Sequence, residues 1–269
     1  MLIFNLHGGL SYKKKSNLRI SVVTATRNSA CLLDDCLASI AQQTYPYLEH
    51  LIVDGASTDG TINLINRHID QIATFVSEPD TGIYDALNKG IQLATGDVVG
   101  FLHSDDIYAS TTVLARVAEA FDDPTICAVY GDLDYVSKHD NELFIRRWKS
   151  SPFHAKDLGW GWMPAHPTLY VRKEWYLHIG GFDTNYQISA DYHCILKFFM
   201  HSNFKASYIP EVFVKMRTGG ASNKSFFAIL KKTKEDWYVL RSCNFSFLNA
   251  VRALAGKNLR KVKQFFIFF

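Results

Sequence analysis

Val98-Val99-Gly100-Phe101-Leu102-His103-Ser104-Asp105-Asp106 is the stretch around which the chain is organised. An apolar run leads straight into two adjacent carboxylates. A short run of this kind predicts a strand buried on both faces in a parallel sheet. In open α/β sheets, ligands bind just beyond the carboxyl ends of such strands, and Asp105 and Asp106 fall there. Hard oxygen donors at that place suit Mg²⁺ or Mn²⁺, shared with phosphate oxygens. The competing reading is that Ser104-Asp105-Asp106 caps a following helix, since Ser and Asp are preferred caps.

The residues upstream decide between the two. Arg19 to Ala25 alternates and is β-branched, which predicts a first strand, ended by Thr26-Arg27-Asn28. Ser29 is the expected N-cap of a helix carrying Leu33, Cys36, Leu37 and Ile40, which must stop before Pro46. Leu51-Ile52-Val53 predicts a second strand, opening into the turn-rich Asp54-Gly55-Ala56-Ser57-Thr58-Asp59-Gly60. Ile62, Ile65 and Ile69 mark a helix, and Thr74-Phe75-Val76 a third strand, ending at Glu78-Pro79-Asp80-Thr81-Gly82. A further helix is expected from Ile83, with Ile83, Leu87, Ile91 and Ala94 on one face and Gly96 as its stop. Strands alternating with helices through short connections predict a doubly wound α/β domain with a mostly parallel sheet. Its strand ends would bring Asp54, Glu78, Asp80, Asp105 and Asp106 to one cleft. Neither GxGxxG nor GxxxxGK[ST] occurs, which speaks against a dinucleotide oxidoreductase and a P-loop NTPase.

Downstream the pattern changes. Strands are expected at Ala128 to Asp132, Thr168 to Val171 and Glu211 to Arg217, with a hairpin-like excursion from Asp134 to Trp148. Trp160, Trp162 and Met163 lie among glycines just before His166-Pro167. Aromatic faces beside polar groups suit contact with a sugar or lipid, and plain core is the alternative. Gly180-Gly181-Phe182-Asp183 predicts a turn. Asp191 then opens an apolar helix through Ile195, Leu196 and Phe199, where an acid is favoured by the helix dipole. Thr218 to Ser222 is a glycine-rich loop, a closing flap or a linker.

Composition bounds the rest. With 269 residues and 48% hydrophobic content, the chain can bury a substantial core. The net charge of +3 is unevenly spread: from Lys224 on there are ten Lys+Arg against two Asp+Glu. This tail interleaves basic residues with aromatics and ends in Phe265-Phe266-Ile267-Phe268-Phe269. Such a pattern predicts an amphipathic helix at a membrane surface, with packing on the body as the alternative. No nucleic-acid motif accompanies the charge. The five cysteines are scattered and form no CxxC pair, which fits buried thiols better than a zinc site or disulfide framework. Met1 to Asn17 places its lysines after the apolar stretch, the reverse of a signal peptide, and reads as a leader.

Thr24-Ala25-Thr26-Arg27-Asn28, Asp54 to Gly60, Glu78 to Gly90 and Phe101 to Asp106 together, in this order, resemble glycosyltransferase family 2. The resemblance covers about Arg19 to Met216. It implies a GT-A-like (Rossmann-like) fold and an activity that uses nucleotide sugars, hexosyl or N-acetylhexosaminyl transfer being the usual type. It divides the chain into a leader (1–18), a catalytic domain (19–222) and a basic helical tail (223–269). Residues 19–106 would form the nucleotide-sugar half and 107–222 the acceptor half. It implies donor contacts from Ala25, Thr26, Asn28, Asp54, Ser57, Asp80, Gly82, Asn88, His103 and Ser104. Asp105 takes the place of a metal ligand for Mn²⁺ or Mg²⁺. His103 stands where the first carboxylate of the family's Asp-x-Asp lies, and imidazole remains a candidate ligand. Asp191 matches the family's catalytic base, with Ala190 where Glu often precedes it. Trp160, Trp162 and His166 are acceptor candidates. Leu87 stands where relatives often carry Arg.

The expected reaction follows from the charges. Asp191 takes the proton of an acceptor hydroxyl, which attacks the anomeric carbon opposite the leaving diphosphate and inverts that centre. UDP is the donor base most common in the family, and a lipid-diphosphate-linked saccharide at the inner face of a bacterial membrane is the implied acceptor, within surface polysaccharide synthesis. A catalytically silent nucleotide-sugar-binding or membrane scaffold is the alternative, suggested by His103 and Leu87. A nucleotidyltransferase would need a glycine-rich basic loop near the N-terminus, where Thr24 to Ser29 supplies only Arg27.

Overall fold

The computed structural model describes residues 3–4, 10–11, 17–219 and 226–263. Ile3–Phe4 (β1) and Leu10–Ser11 (β2) form a small antiparallel ribbon. The first half of the body then runs β3 (Ile20–Thr26), α1 (Leu33–Ala41), β4 (Leu48–Asp54), α2 (Thr61–Arg67), β5 (Thr74–Ser77), α3 (Ile83–Leu93) and β6 (Val98–Phe101). These strands lie in the order β5-β4-β3-β6 and are all parallel. Parallel strands joined by helices end on the same edge, so Thr26, Asp54, Ser77 and Phe101 open onto one cleft. The strands are apolar because both faces are covered: every residue of β3 and β6 is buried.

The second half adds β7 (Ile107–Tyr108), α4 (Val113–Ala120), β8 (Ala128–Val136), β9 (Phe144–Trp148), β10 (Tyr170–Arg172), α5 (Lys173–Ile179), α6 (Ala190–Phe199) and β11 (Ala206–Arg217). β10 inserts antiparallel between β6 and β8, and β11 runs parallel to β8. β7 and β9 pair antiparallel with β11 and β8. The expected mostly parallel α/β sheet is therefore present, continued by antiparallel additions past β6.

Several local expectations shift. Ser29 does not cap α1, which begins at Leu33. The Ser29 carbonyl accepts the Leu32 and Leu33 amides at 3.1 Å in a preceding turn. Ile83 is exposed, and α3 buries Ala86, Leu87, Gly90 and Ile91 instead. Leu87 is core, wholly shielded. Gly96 lies beyond the end of α3 and is small for another reason: a Cβ there would sit 2.5 Å from Ser21 Oγ. β11 starts at Ala206, five residues before Glu211, and its register shifts between Tyr208 and Val212. Pro210, which has no amide to give a ladder, lies in that irregularity. Thr168 ends a 3₁₀ turn (His166–Thr168), and the strand begins at Tyr170.

The basic tail forms α7 (Phe226–Ser242) and α8 (Phe247–Lys263). Both pack on the body: Val239, Leu240, Cys243, Ala250 and Ala253 belong to the same apolar cluster as Phe101 and Tyr192. α8 crosses the Trp160-Gly161 turn in close backbone contact. A Cβ on Gly161, whose φ is +67°, would lie 2.1 Å from the Ala253 carbonyl oxygen, and one on Gly256 2.3 Å from that of Trp160. Gly161→Ala is expected to combine left-handed strain of about 1–2 kcal/mol with a steric clash. A fall in Tm of roughly 5 °C or more should follow in a thermal melt. An unchanged Tm would mean that α8 does not rest on this turn. The glycine-rich loop from Gly220 and the apolar end Phe265 to Phe269 lie outside the described residues.

Candidate active site

The first wall of the cleft is made by the loops after β3 and β4, stitched together. Asn28 adopts φ +51° and Ala56 φ +53°, two tight backbone reversals facing each other. The Asn28 amide donates to Ser57 Oγ at 2.8 Å, and Asn28 Oδ1 accepts the Thr58 amide at 2.9 Å. The Ser29 amide donates to Thr61 Oγ1 at 2.8 Å, and Ala30 to Asp59 Oδ2 at 3.2 Å. Asp54, fully buried, is the hub of this wall. Its carboxylate accepts the Ser57 amide and hydroxyl at 2.9 and 2.5 Å, and the Ser77 hydroxyl at 2.7 Å. The structure thus commits Asp54, Ser57 and the Asn28 side chain to holding the loops in shape. Ala25 and Thr26 end β3 at the base of the wall, where Thr26 Oγ1 is buried with no hydrogen-bond partner among the described residues.

The second wall is the β5–α3 connection. Asp80 Oδ1 accepts the Gly82 amide at 3.0 Å, and Gly82 takes φ +138°, a conformation that favours glycine. Gly55 lies against Asp80: a Cβ there would be 2.3 Å from Asp80 Oδ2. The Asn88 amide group is spent on a distant backbone. Its Nδ2 donates to the Phe182 carbonyl and its Oδ1 accepts the Phe182 amide, both at 2.8 Å. Asn88 therefore acts as a staple between α3 and the glycine turn that leads to α6.

The floor is the end of β6. Ser104 Oγ meets Ser29 Oγ at 2.9 Å, tying the floor to the first wall. Asp105 is half-buried, and its carboxylate makes no hydrogen bond or ion pair among the described residues. Asp106 is fully buried. Burial, with Asp105 next to it, raises its pKa well above the usual carboxylate value, against the pull of Arg217. The Arg217 amide at the end of β11 donates to Asp106 Oδ1 at 3.2 Å. The Arg217 guanidinium donates to the Asp105 carbonyl oxygen at 3.2 Å and pairs with Asp35. Arg217 thereby pins the acidic turn from a strand more than a hundred residues away.

Across the cleft stands Asp191, in the first turn of α6. Its Oδ1 accepts the Tyr192 amide at 2.8 Å and lies 3.3 Å from the Tyr84 hydroxyl, which donates to the Ile188 carbonyl at 2.8 Å. Oδ2 has no partner among the described residues. The rings of His103 and His166 lie 6.1 Å apart. His166 stacks on Phe101 at 5.4 Å and meets Phe182 edge-on at 5.5 Å. Burial pushes its pKa down to about 4 against the pull of Asp191, so the ring is neutral near pH 7. Burial lowers the His103 pKa too, opposed by Asp105 and Asp191. Both carboxylates therefore act on the charge of His103. His103 Nδ1 and His166 Nε2 are both buried without partners among the described residues. Unpaired buried polar atoms are rare in folded proteins.

The other acceptor candidates go elsewhere. Trp162 is core: its ring packs against Tyr130, Phe153 and Phe199, and its Nε1 donates to Ser151 Oγ at 3.1 Å. Trp160 is half exposed, with the Arg252 guanidinium 5.0 Å over its ring, on the side covered by α8. A recess of about 330 Å³ beside Gly82, Tyr84 and Gln187 lies next to the Asp191 side of the cleft. The sequence singled out neither Tyr84 nor Arg217. Tyr84 sits inside a matched motif. Arg217 carries no such signal.

Residues 21–185 match the family described as "Glycosyl transferase family 2". Over 208 residues the chain is 31% identical to a "PGL/p-HBAD biosynthesis glycosyltransferase" of Mycobacterium bovis, spanning 76% of this chain and 78% of that one. The fold matches the crystal structure of S. aureus TarS with a TM-score of 0.67 at 17% identity, covering 93% of this chain and 44% of that one. It also matches TarS 1-349 in complex with UDP-GlcNAc, with a TM-score of 0.68 at 16% identity, covering 91% of this chain and 73% of that one. The mannosyltransferase PcManGT from Pyrobaculum calidifontis, in complex with GDP-Man and Mn²⁺, matches with a TM-score of 0.65 at 21% identity, covering 91% and 73%. At these identities the solved structures speak to the GT-A fold.

Proposed function

The chain belongs to glycosyl transferase family 2, and we propose that it moves a sugar, with inversion, from a nucleotide-sugar donor to a hydroxyl of a lipid-linked saccharide. At the coarser level it is a glycosyltransferase of polysaccharide or glycolipid biosynthesis. The observation that carries the finer reading is the pair of carboxylates, Asp105 and Asp191, that both act on the charge of His103. One has no partner and sits at the end of the central strand. The other keeps a free oxygen at the start of α6.

In this reading Asp191 Oδ2 accepts the proton of the attacking hydroxyl, while Tyr84 and the Tyr192 amide hold Oδ1 in place. The new C–O bond forms as the bond from the anomeric carbon to the diphosphate breaks. Neutral His166 and His103 offer unpaired nitrogens to hydroxyls of the sugar. The Asp54 hub keeps the base-side wall shaped, and UDP is the favoured nucleotide. Asp105, with His103 beside it, would hold Mn²⁺ or Mg²⁺. No cluster of three or more His, Cys, Asp or Glu able to hold a metal exists among the described residues. Two protein donors still fit these ions, which usually take one or two carboxylates plus substrate phosphates. When bound, such an ion supplies positive charge to a departing diphosphate.

The tail supports a membrane-surface acceptor. No helix among the described residues is long and apolar enough to cross a membrane. α7 and α8 nevertheless expose Leu230, Phe247, Leu248 and Leu259 beside Lys231, Lys234, Arg241 and Arg260, a composition suited to an anionic lipid interface. In this reading the protein works on the inner face of the cell membrane. Cosedimentation with anionic phospholipid vesicles at low salt is expected, and recovery wholly in the supernatant would count against the lipid surface.

The deciding experiment is a panel of UDP-, GDP- and dTDP-sugars with Mn²⁺, scored for release of nucleoside diphosphate. Metal-dependent release from one donor is the expected result. Silence across the panel, with a lipid-diphosphate acceptor present, would favour the scaffold reading that His103 suggests.

A further inference from the structure

The outer side of α6 is held by the basic tail, through its two acids. Glu235 Oε2 accepts the Ile188 amide at 2.8 Å and the Ser189 amide at 3.0 Å. Asp236 Oδ1 accepts the Ser189 hydroxyl at 2.8 Å. Ser189 is the N-cap residue of α6, yet its side chain makes no cap bond to its own helix. Asp236 is in turn paired with Lys257 at 2.9 Å and Lys232 at 3.1 Å. Lys257 also lies 3.5 Å over the Tyr192 ring. The residues Ile188 and Ser189 are thus gripped from both sides: Tyr84 holds the Ile188 carbonyl from α3, and Glu235 holds both amides from α7. Asp191 follows two residues later.

We propose that Glu235 is a positioning residue for Asp191: by clamping the amides that enter α6, it sets where the Asp191 carboxylate stands in the cleft. This rests on the reading of Asp191 as the base. Glu235 touches neither donor nor acceptor in this arrangement; it acts through the Ile188-Ser189 backbone. Asp236, with Lys232 and Lys257, locks α7 and α8 onto the same point, so the tail is part of the catalytic frame. The clamp also explains why the acids stand together in an otherwise basic segment. Two amides need an acceptor with lone pairs to spare, and a carboxylate supplies the strongest one.

The test uses the full chain, with the donor cleaved fastest in the panel and UDP with Mn²⁺ as the binding probe. Release of nucleoside diphosphate and the calorimetric Kd are measured for Glu235→Ala, Glu235→Gln, Glu235→Asp, Asp191→Asn and Glu235→Ala/Asp191→Asn. Displacement of a catalytic group by about 1 Å can cost about 100-fold in rate, so Glu235→Ala should lower kcat about 10- to 100-fold and leave the UDP Kd within about twofold. Glu235→Gln, whose amide oxygen can still accept both N–H groups, should recover most of that loss. In the Asp191→Asn background, Glu235→Ala should cost nothing further. If Glu235→Ala does not fold, Glu235→Asp, one methylene too short, carries the same comparison. Wild-type kcat in the Glu235 variants, with Asp191→Asn inactive, would overturn the positioning role alone. A matching loss of UDP affinity would show general damage to the fold and would also overturn it. Full turnover by Asp191→Asn would remove the base reading and this inference together.

Discussion

Asp191→Asn is expected to lower transfer by about 10²- to 10⁴-fold, the usual contribution of a general base, and to leave UDP affinity essentially unchanged. The substitution is a clean one in this site. An amide oxygen in place of Oδ1 still accepts the Tyr192 amide and the Tyr84 hydroxyl, so the start of α6 keeps its shape. What is lost is the capacity to take a proton. The imidazoles do not replace it: His166 is neutral but titrates near 4, too acidic to accept a proton efficiently near pH 7. Removing the negative charge of Asp191 makes both rings harder still to protonate, since that charge opposes the effect of burial on each. Initial rates of nucleoside diphosphate release, with and without acceptor, give the comparison. Turnover near the wild-type rate would exclude Asp191 as the base.

Asp105→Ala should have the second-largest effect, and on a different step. Its carboxylate makes no internal hydrogen bond among the described residues, so its removal leaves no buried partner stranded. Asp106 remains tied to the Arg217 amide. Stability should therefore change little, while the Mn²⁺-dependent part of UDP binding disappears. Even outer partners of metal ligands are worth about 10- to 100-fold in metal affinity, so losing a direct ligand should cost at least about 100-fold. Calorimetry of UDP with Mn²⁺ and with EDTA should give one shared affinity for the variant and two distinct ones for the wild type. Two affinities as distinct as those of the wild type would assign the metal elsewhere.

The two aspartates differ in how they could be found. Asp105 is legible because a buried strand ends there. Asp191 by itself reads as a helix-opening acid, and its role as base is what the resemblance to the family implies. Trp162 and Asn88 show a common limit of the sequence. Both carry groups suited to a ligand, and both spend them inside the protein: Trp162 Nε1 on Ser151, and the Asn88 amide on Phe182. A sequence displays the donors and acceptors that a side chain owns. It does not display which are already satisfied, and the partner of Asn88 lies 94 residues away. Arg217 shows the same limit, since it pins the acidic turn and pairs with Asp35, 182 residues before it.

By itself, the sequence determined the alternation of strands and helices, the common edge on which four parallel strands end, and the acidic and turn-forming residues at that edge. These follow from period, burial and turn chemistry, which are local and written in neighbouring residues. Only the tertiary structure decided that Asp54 ties its loop to Ser77, that Asn88 ties α3 to Phe182, and that Asp105 and Asp191 both act on the charge of His103. It also made the basic tail a wall of the molecule that grips the helix of Asp191. Those outcomes depend on which polar groups are left unpaired after folding, and that balance is struck between segments far apart in the chain.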